Sequence, residues 1–336
     1  MRDAFCAALI DHARLAPYFF LTGDLGFMAL EPLARSLGQR FVNAGVAEQN
    51  MVSVAAGIAR AGGECWCYSI APFCYARPFE QIRNDVCLNR LAVHLVGNGG
   101  GYAYGSMGAT HHALEDYGVL LTLPGLRAYV PAFDADVAPA VRAIAARAAP
   151  TYLRLGRSEL ADERELPPYA PWRRLSVGEA GVLIVVGPLA GALWRTTRDQ
   201  ALASRPTIWV VSEIESGALA LPEALHEDLS RARALGLVEE HVAPGGFGTQ
   251  LLHRLALEGR VLPPLVHAHA RGYPSGRYGS QRWHREECGL DVAEILASLE
   301  RARLGGAGLG GAGLGDARAR PGPHPAEPAA ARMREP

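Results

Sequence analysis

No apolar run in the 336 residues reaches the ~20 residues that a membrane-spanning helix needs, and neither sign of charge is in excess, the formal net charge being −1. The first absence argues against a membrane protein. The second argues against general electrostatic binding to nucleic acid or anionic lipid. At the N-terminus no basic region precedes an apolar core, and Arg2, Asp3, Asp11 and His12 interrupt an amphipathic helical pattern, so a secretory leader is not expected. Cysteine is sparse: Cys6, Cys65, Cys67, Cys74, Cys87 and Cys288 lie mostly inside apolar stretches. Cys65 and Cys67 fall on one face of a strand, but no second pair stands at zinc spacing. Reduced core thiols, no metal site and a cytoplasmic setting are therefore expected.

What is present is the composition of a well-packed globular chain, 49% hydrophobic and 20% charged, long enough for two domains. Helix and strand patterns alternate. The first half reads as a helix at 2–15, strands at 18–21, near 42, at 64–70, 91–96, 126–130 and 152–155, and helices after 42, at 77–87, 112–121 and 135–148. Residues 158–180, with Pro167, Pro168 and Pro171, read as a linker. Alternation resumes at 181–303, with strands at 182–186, 207–211, 234–239 and 265–268. The expected fold class is α/β: two domains, 1–157 and 181–303, each a mostly parallel sheet flanked by helices, with working loops at the strand carboxyl ends. Residues 304–336 are rich in glycine, alanine and proline and are expected to be disordered. Gly-Leu-Gly-Gly-Ala-Gly at 308–313 has the spacing of a dinucleotide fingerprint, but no strand precedes it and no helix follows, so it is rejected.

One acid stands out. Glu48, in Phe41-Val-Asn-Ala-Gly-Val-Ala-Glu-Gln-Asn-Met51, sits where a strand runs into an apolar helix. A carboxyl group buried there is costly unless it is hydrogen-bonded or neutral, and such groups carry proton chemistry. The plain alternative is a first-turn acid facing the helix dipole, with Asn43 as a loose cap.

Four segments in order resemble the transketolase family, over roughly residues 1–300: Gly45-Val-Ala-Glu-Gln-Asn-Met51; Tyr68 to Arg83, with Phe73, Tyr75 and Arg77; Gly105-Ser-Met-Gly-Ala-Thr-His-His-Ala-Leu-Glu-Asp116; and Tyr152-Leu-Arg-Leu-Gly-Arg157. The resemblance implies a pyrimidine-binding domain followed by a transketolase C-terminal domain, and thiamine diphosphate as cofactor. Glu48 then corresponds to the buried glutamate that hydrogen-bonds the pyrimidine and starts proton removal from the thiazolium carbon. Phe73, or Tyr75 in reserve, is the ring expected to stack on the pyrimidine. Asp24 falls near the thiazolium side, with a simple turn aspartate as the alternative. His111 is expected to orient substrate and move a proton, and His112 to support it. Arg157 and Arg154 are expected to hold a sugar phosphate, or else to bridge the domains. His111, His112 and Glu115 make a poor metal site, and Glu115 and Asp116 read as helix-start acids.

Departures from the family pattern matter too. Met107 stands where common transketolases have an aspartate, and Gly99 where some have a phosphate-binding histidine, so donor and acceptor are open. The Gly-Asp-Gly segment and downstream asparagine that hold magnesium and diphosphate have no counterpart here. The expectation is the C-terminal subunit of a split transketolase, in an α2β2 heterotetramer whose N-terminal-type partner supplies magnesium and the diphosphate site. The competing readings are the β subunit of a 2-oxo-acid dehydrogenase, a relative of deoxyxylulose-phosphate synthase, and a non-catalytic regulatory subunit.

Overall fold

The computed structural model describes residues 1–26, 29–159, 166–215 and 220–305. Most of the glycine-rich tail, with its rejected fingerprint, lies outside the described residues. The first unit runs α1 (Arg2–His12), β1 (Tyr18–Thr22), α2 (Glu31–Leu37), β2 (Phe41–Asn43), α3 (Glu48–Arg60), β3 (Glu64–Ile70), α4 (Ala71–Tyr75), α5 (Phe79–Gln81), a π-helical turn (Ile82–Cys87), β4 (Val93–Asn98), α6 (Asp116–Leu120), β5 (Arg127–Tyr129), α7 (Val137–Ala145) and β6 (Thr151–Leu155). The second runs β7 (Trp172–Ser176), β8 (Val182–Val186), α8 (Leu189–Thr197), β9 (Thr207–Val211), β10 (Glu213–Glu215), α9 (Glu223–Arg231), β11 (Leu235–Val242), α10 (Phe247–Leu257), β12 (Leu265–Ala270), α11 (Gln281–Cys288) and α12 (Val292–Arg303).

Two sheets result, ordered β10-β5-β6-β4-β3-β1-β2 and β12-β11-β8-β9-β7. Only β10 and β7 run antiparallel, each at an edge. The central strands β8 and β9 are buried along their whole length, which is why they read as unbroken apolar runs. In β3 the two-residue period divides the side chains. Cys65 and Cys67 join the cluster that includes α3 residues Met51 and Val52, while Trp66 and Tyr68 pack with Phe5 of α1 on the other face. All six cysteines are buried and unbridged. Burial pushes the Cys65, Cys74 and Cys87 thiols up to about 12, so they stay protonated.

Several elements depart from the expectations above. The stretch read as a linker contains β7, which pairs with β9. The acidic strand β10 crosses back to pair with β5 of the first sheet, and Arg127 there bonds both Glu213 and Glu215. The helix expected at 77–87 stands at 79–87, passing from α5 into the π-helical turn, and a further short helix, α4, precedes it; Pro78, which lacks an N–H and crowds the preceding turn, keeps the two apart. That break leaves Arg77 between α4 and α5. Helix α11 escapes a hydrophobic-pattern reading because its sequence is almost wholly polar. Its end signals are nonetheless clear: Ser280 caps the Trp283 N–H, and Gly289 closes it in the left-handed region at φ 70°.

The two units share a buried polar seam. Arg154, 4% exposed, pairs with the fully buried Asp116 at 2.8 Å and donates to the carbonyls of Ala113 and Glu240. Glu240 accepts from the Tyr102 N–H at 2.8 Å and pairs with Arg285 at 2.7 Å. Beside it, Glu239 accepts from Tyr117, Phe247 N–H and Gly248 N–H and meets His267 at 2.9 Å. Burial works to raise both carboxyls. For Glu240 it is outweighed chiefly by Arg285, and for Glu239 by the bond to His267 and the charge of His241, so both lie below the ordinary carboxylate range. A lowered carboxyl binds fewer protons folded than unfolded. Its stabilisation is therefore complete above the ordinary carboxylate pKa of about 4.3 and is lost as the pH falls through the lower folded value. The urea midpoint should accordingly drop as the pH is taken from 6 toward 3, and Glu240→Gln should make that drop shallower than in the parent chain.

Candidate active site

The parallel strands of the first sheet end on one edge, and their following loops deliver the candidate residues in strand order. β6 leads to Arg157, β4 to Tyr104 and His111, β3 to Phe73 and Arg77, β1 to Asp24, and β2 to Glu48. This edge is where α/β sheets build sites.

Glu48 opens α3 and is only 4% exposed. No side chain caps this helix. Asn43 instead ties two turns together: its Oδ1 accepts from the N–H groups of Asp24 (3.1 Å) and Gly45 (3.0 Å), and its Nδ2 donates to Asp24 Oδ1 at 2.9 Å. That clamp holds Asp24 at φ 53°, a left-handed conformation few non-glycine residues adopt. Asp24 is exposed and lines a hollow of about 260 Å³ with Thr22, Leu30 and Phe41. Gly23 lies directly against the acid, since a Cβ there would stand 3.6 Å from Glu48 Oε1.

Arg77 belongs to the second motif, but nothing in the sequence assigns it a task. Its Nη1 donates to Glu48 Oε1 at 2.8 Å, and its Cζ lies 3.7 Å from the centre of the Phe73 ring. Phe73 in turn meets His111 edge to face at 5.2 Å, and His111 meets Tyr104 at 5.8 Å. The structure thus brings Glu48, Arg77, Phe73, His111 and Tyr104 into one row. Thr110 Oγ1 lies 2.9 Å from His111 Nδ1 and orients the ring. Beyond Tyr104, whose hydroxyl accepts from Asn98 at 2.9 Å, a hollow of about 460 Å³ is lined by Arg2, Asn98, Gly99, Tyr104 and Arg157. Arg157 is exposed at its rim.

Three expected site residues sit elsewhere. Tyr75 turns into the core, 7% exposed, with its hydroxyl donating to Glu115 at 3.2 Å. Arg154 is committed to Asp116 and two carbonyls in the domain seam, which leaves its guanidinium no access to substrate. His112 is 3% exposed and makes two bonds, to Gly105 O at 2.8 Å and to the Tyr273 hydroxyl at 2.9 Å. A carbonyl can only accept, so Nε2 carries the proton and Nδ1 accepts from Tyr273. Burial lowers the His112 pKa and favours this neutral form. The glycine-rich loop before the histidines is pinned as well. Gly101 bridges to Ala113, and Tyr102 is fully buried, its ring stacked on His284 at 4.8 Å.

The fold is α/β, with the row from Glu48 to Tyr104 set along the carboxyl edge of its first sheet. Residues 16–163 match the model for the transketolase pyrimidine-binding domain. The chain is 29% identical over 267 residues to the second of the apulose-4-phosphate transketolase subunits of Phocaeicola vulgatus, covering 76% of this chain and 83% of that protein. It is 28% identical over 305 residues to the protein of the same name from Actinobacillus succinogenes, covering 88% and 94%. Among solved structures, a split-gene transketolase described as an inactive beta4 tetramer matches with a TM-score of 0.74 at 25% identity, covering 90% of this chain and 98% of that one. Residues 16–163 therefore carry a domain of the transketolase pyrimidine-binding type, and the matches over most of the chain are to subunits of split transketolases. Among the described residues, no helix is long and apolar enough to cross a membrane, and no group of three or more metal-ligating side chains occurs.

The two neighbouring histidines should separate on mutation. His112→Ala should cost about 2–3 kcal/mol, because it strips partners from Gly105 and Tyr273 in a buried seam, whereas His111→Ala should stay within about 0.5 kcal/mol of the parent. Urea denaturation of the two variants checks this.

Proposed function

We propose that this chain is the catalytic pyrimidine-side subunit of a thiamine diphosphate-dependent transketolase, transferring a two-carbon ketol unit from a ketose to an aldehyde acceptor. The observation that carries the reading is the conjunction of a buried carboxyl with an aromatic face. A planar group bearing N–H bonds, the Arg77 guanidinium, lies on Phe73 and donates to Glu48. An aminopyrimidine would use the same two surfaces with the proton on the other partner, its face on Phe73 and its ring nitrogen accepting from a protonated Glu48, so the residues fit that half of the cofactor. When bound, thiamine diphosphate supplies the carbanion-stabilising chemistry that carbon–carbon transfer requires.

The chain's own residues have separate tasks. Glu48 holds a proton at the pyrimidine nitrogen and fixes the ring's protonation state. Phe73 packs the ring face. His111, held by Thr110, faces the donor carbonyl and moves a proton there, a role suited to imidazole near neutral pH. Asp24, next to Gly23 and the acid, is the residue we assign to the thiazolium half of the cofactor. Arg157, at the rim of the 460 Å³ hollow, is placed to meet a donor phosphate. Because two similar proteins are named for apulose 4-phosphate, phosphorylated ketoses are the donor class we assign first.

A partner of the N-terminal transketolase type would hold the diphosphate and its magnesium, in an α2β2 heterotetramer within the cytoplasm. Support comes from the relatives, which are separate second subunits of nearly this length, and from the solved beta4 assembly described as inactive.

The pure chain should show no ketol transfer on a panel of ketose phosphates, and turnover should appear when the diphosphate-binding partner is added. In that complex Glu48→Gln should lower kcat by about 10²–10⁴-fold with assembly unchanged by gel filtration. Full activity of the Gln variant would mean that the chain is a scaffold.

A further inference from the structure

We infer that Arg77 is an internal stand-in for the aminopyrimidine ring, occupying its place until cofactor binds and swinging out to admit it. The inference rests on the site reading above and concerns how that site is kept when it holds no cofactor.

The motive force is the carboxyl of Glu48. A buried acid without a partner carries a desolvation penalty, and it must persist whenever the subunit is free of cofactor. Arg77 removes that penalty by donating Nη1 to Oε1 at 2.8 Å. Its guanidinium also lies over Phe73 at 3.7 Å, which a single ion pair would not require. Two different chemistries, an acceptor oxygen and an aromatic face, are therefore met at once by one planar cation, and both are withheld from a second planar group. Arg77 cannot stay where it is while a pyrimidine stacks on Phe73 and bonds Glu48.

The backbone around Arg77 suits a movable group. It lies in the break between α4 and α5 that Pro78 enforces, and its side chain is 43% exposed. No core packing has to be undone for the stem to rotate toward solvent. Among the described residues, the guanidinium hydrogen-bonds to Glu48 alone. Arg77 thus acts as a competing intramolecular ligand: apparent cofactor affinity falls by the fraction of molecules in which the place is free.

The test is a titration of thiamine diphosphate, with magnesium, into the complex of the full chain and its diphosphate-binding partner, followed by calorimetry. Arg77→Ala and Arg77→Met should bind about fivefold to tenfold more tightly than the parent, as expected when a competing state is removed. Arg77→Lys, which keeps the charge but has no flat face, should fall between. In the isolated chain Arg77→Ala should lower the thermal midpoint, and Glu48→Gln should cancel that loss. Equal or weaker cofactor binding by Arg77→Ala, in a parent complex that binds cofactor and depends on Glu48, would overturn the stand-in while leaving the site reading intact. If the parent complex binds no thiamine diphosphate, both fall together.

Discussion

A carboxyl group held inside a protein must have a partner in every state the protein visits, and Glu48 imposes that condition on this fold. Its backbone is fixed by the start of α3, its side chain is enclosed by the turn at Gly23, and its exposure is 4%. Everything nearby is arranged to answer it. Asn43 locks the β1 and β2 turns into one unit, so the wall around the acid is rigid. Pro78 keeps two short helices apart where an arginine can reach it, and Phe73 supplies the surface on which that arginine lies. A conventional first-turn acid would need none of this, because water would solvate it.

The second domain matters to the site through the glycine loop. Tyr102 donates its N–H to Glu240 and its hydroxyl to Gly272 O, and His112 reaches Tyr273. The loop carrying Tyr104 and His111 is thereby anchored from below by β11 and the segment after β12. Gly101, at φ 65°, is obligatory there, since a Cβ would stand 2.6 Å from the Glu240 carboxyl carbon. For the role proposed for His111, the loop must be held to within fractions of an ångström, and buried ionic contacts provide that rigidity. The seam of Arg154, Asp116, Glu240 and Arg285 is accordingly part of the site's construction although none of its members faces the cleft.

Much of this was legible in the residues. Buried parallel strands announce themselves as apolar runs, and β3, β8 and β9 stand at the expected residues. The short motifs around Glu48, Phe73 and His111 follow strands β2, β3 and β4 at the carboxyl edge, Glu48 and Phe73 on the helices that start there and His111 on a loop. What escaped was whatever depends on partners distant in sequence. β10 is a strand because Arg127 and the edge of β5 await it, not because Glu-Ile-Glu has any strong strand preference. Arg154 looked like a ligand for phosphate because an arginine at a strand end commonly is. Its burial follows from Asp116 and Glu240, 38 and 86 residues away in sequence by their numbering. The resemblance ranks Phe73 above Tyr75 but gives no physical reason for the order. The short helix α4 sends one to the core and the other to the cleft.

The two departures from the family pattern acquire a structural reason at the same edge. Gly99 has φ 80°, and a Cβ there would collide with the Tyr104 ring. A histidine at that position and a tyrosine packed at 104 are therefore mutually exclusive. Tyr104 takes the space, accepts a hydrogen bond from Asn98 and leans on His111, so the imidazole is backed by an aromatic wall on one side and Phe73 on the other. Met107, 53% exposed, stands where an aspartate would read a donor hydroxyl and offers no polar group to do so. Beside this aromatic wall the polar groups that line the 460 Å³ hollow are Arg2, Asp3, Asn98, Tyr104 and Arg157, so charged side chains take the place that the family pattern gives to an aspartate and a histidine.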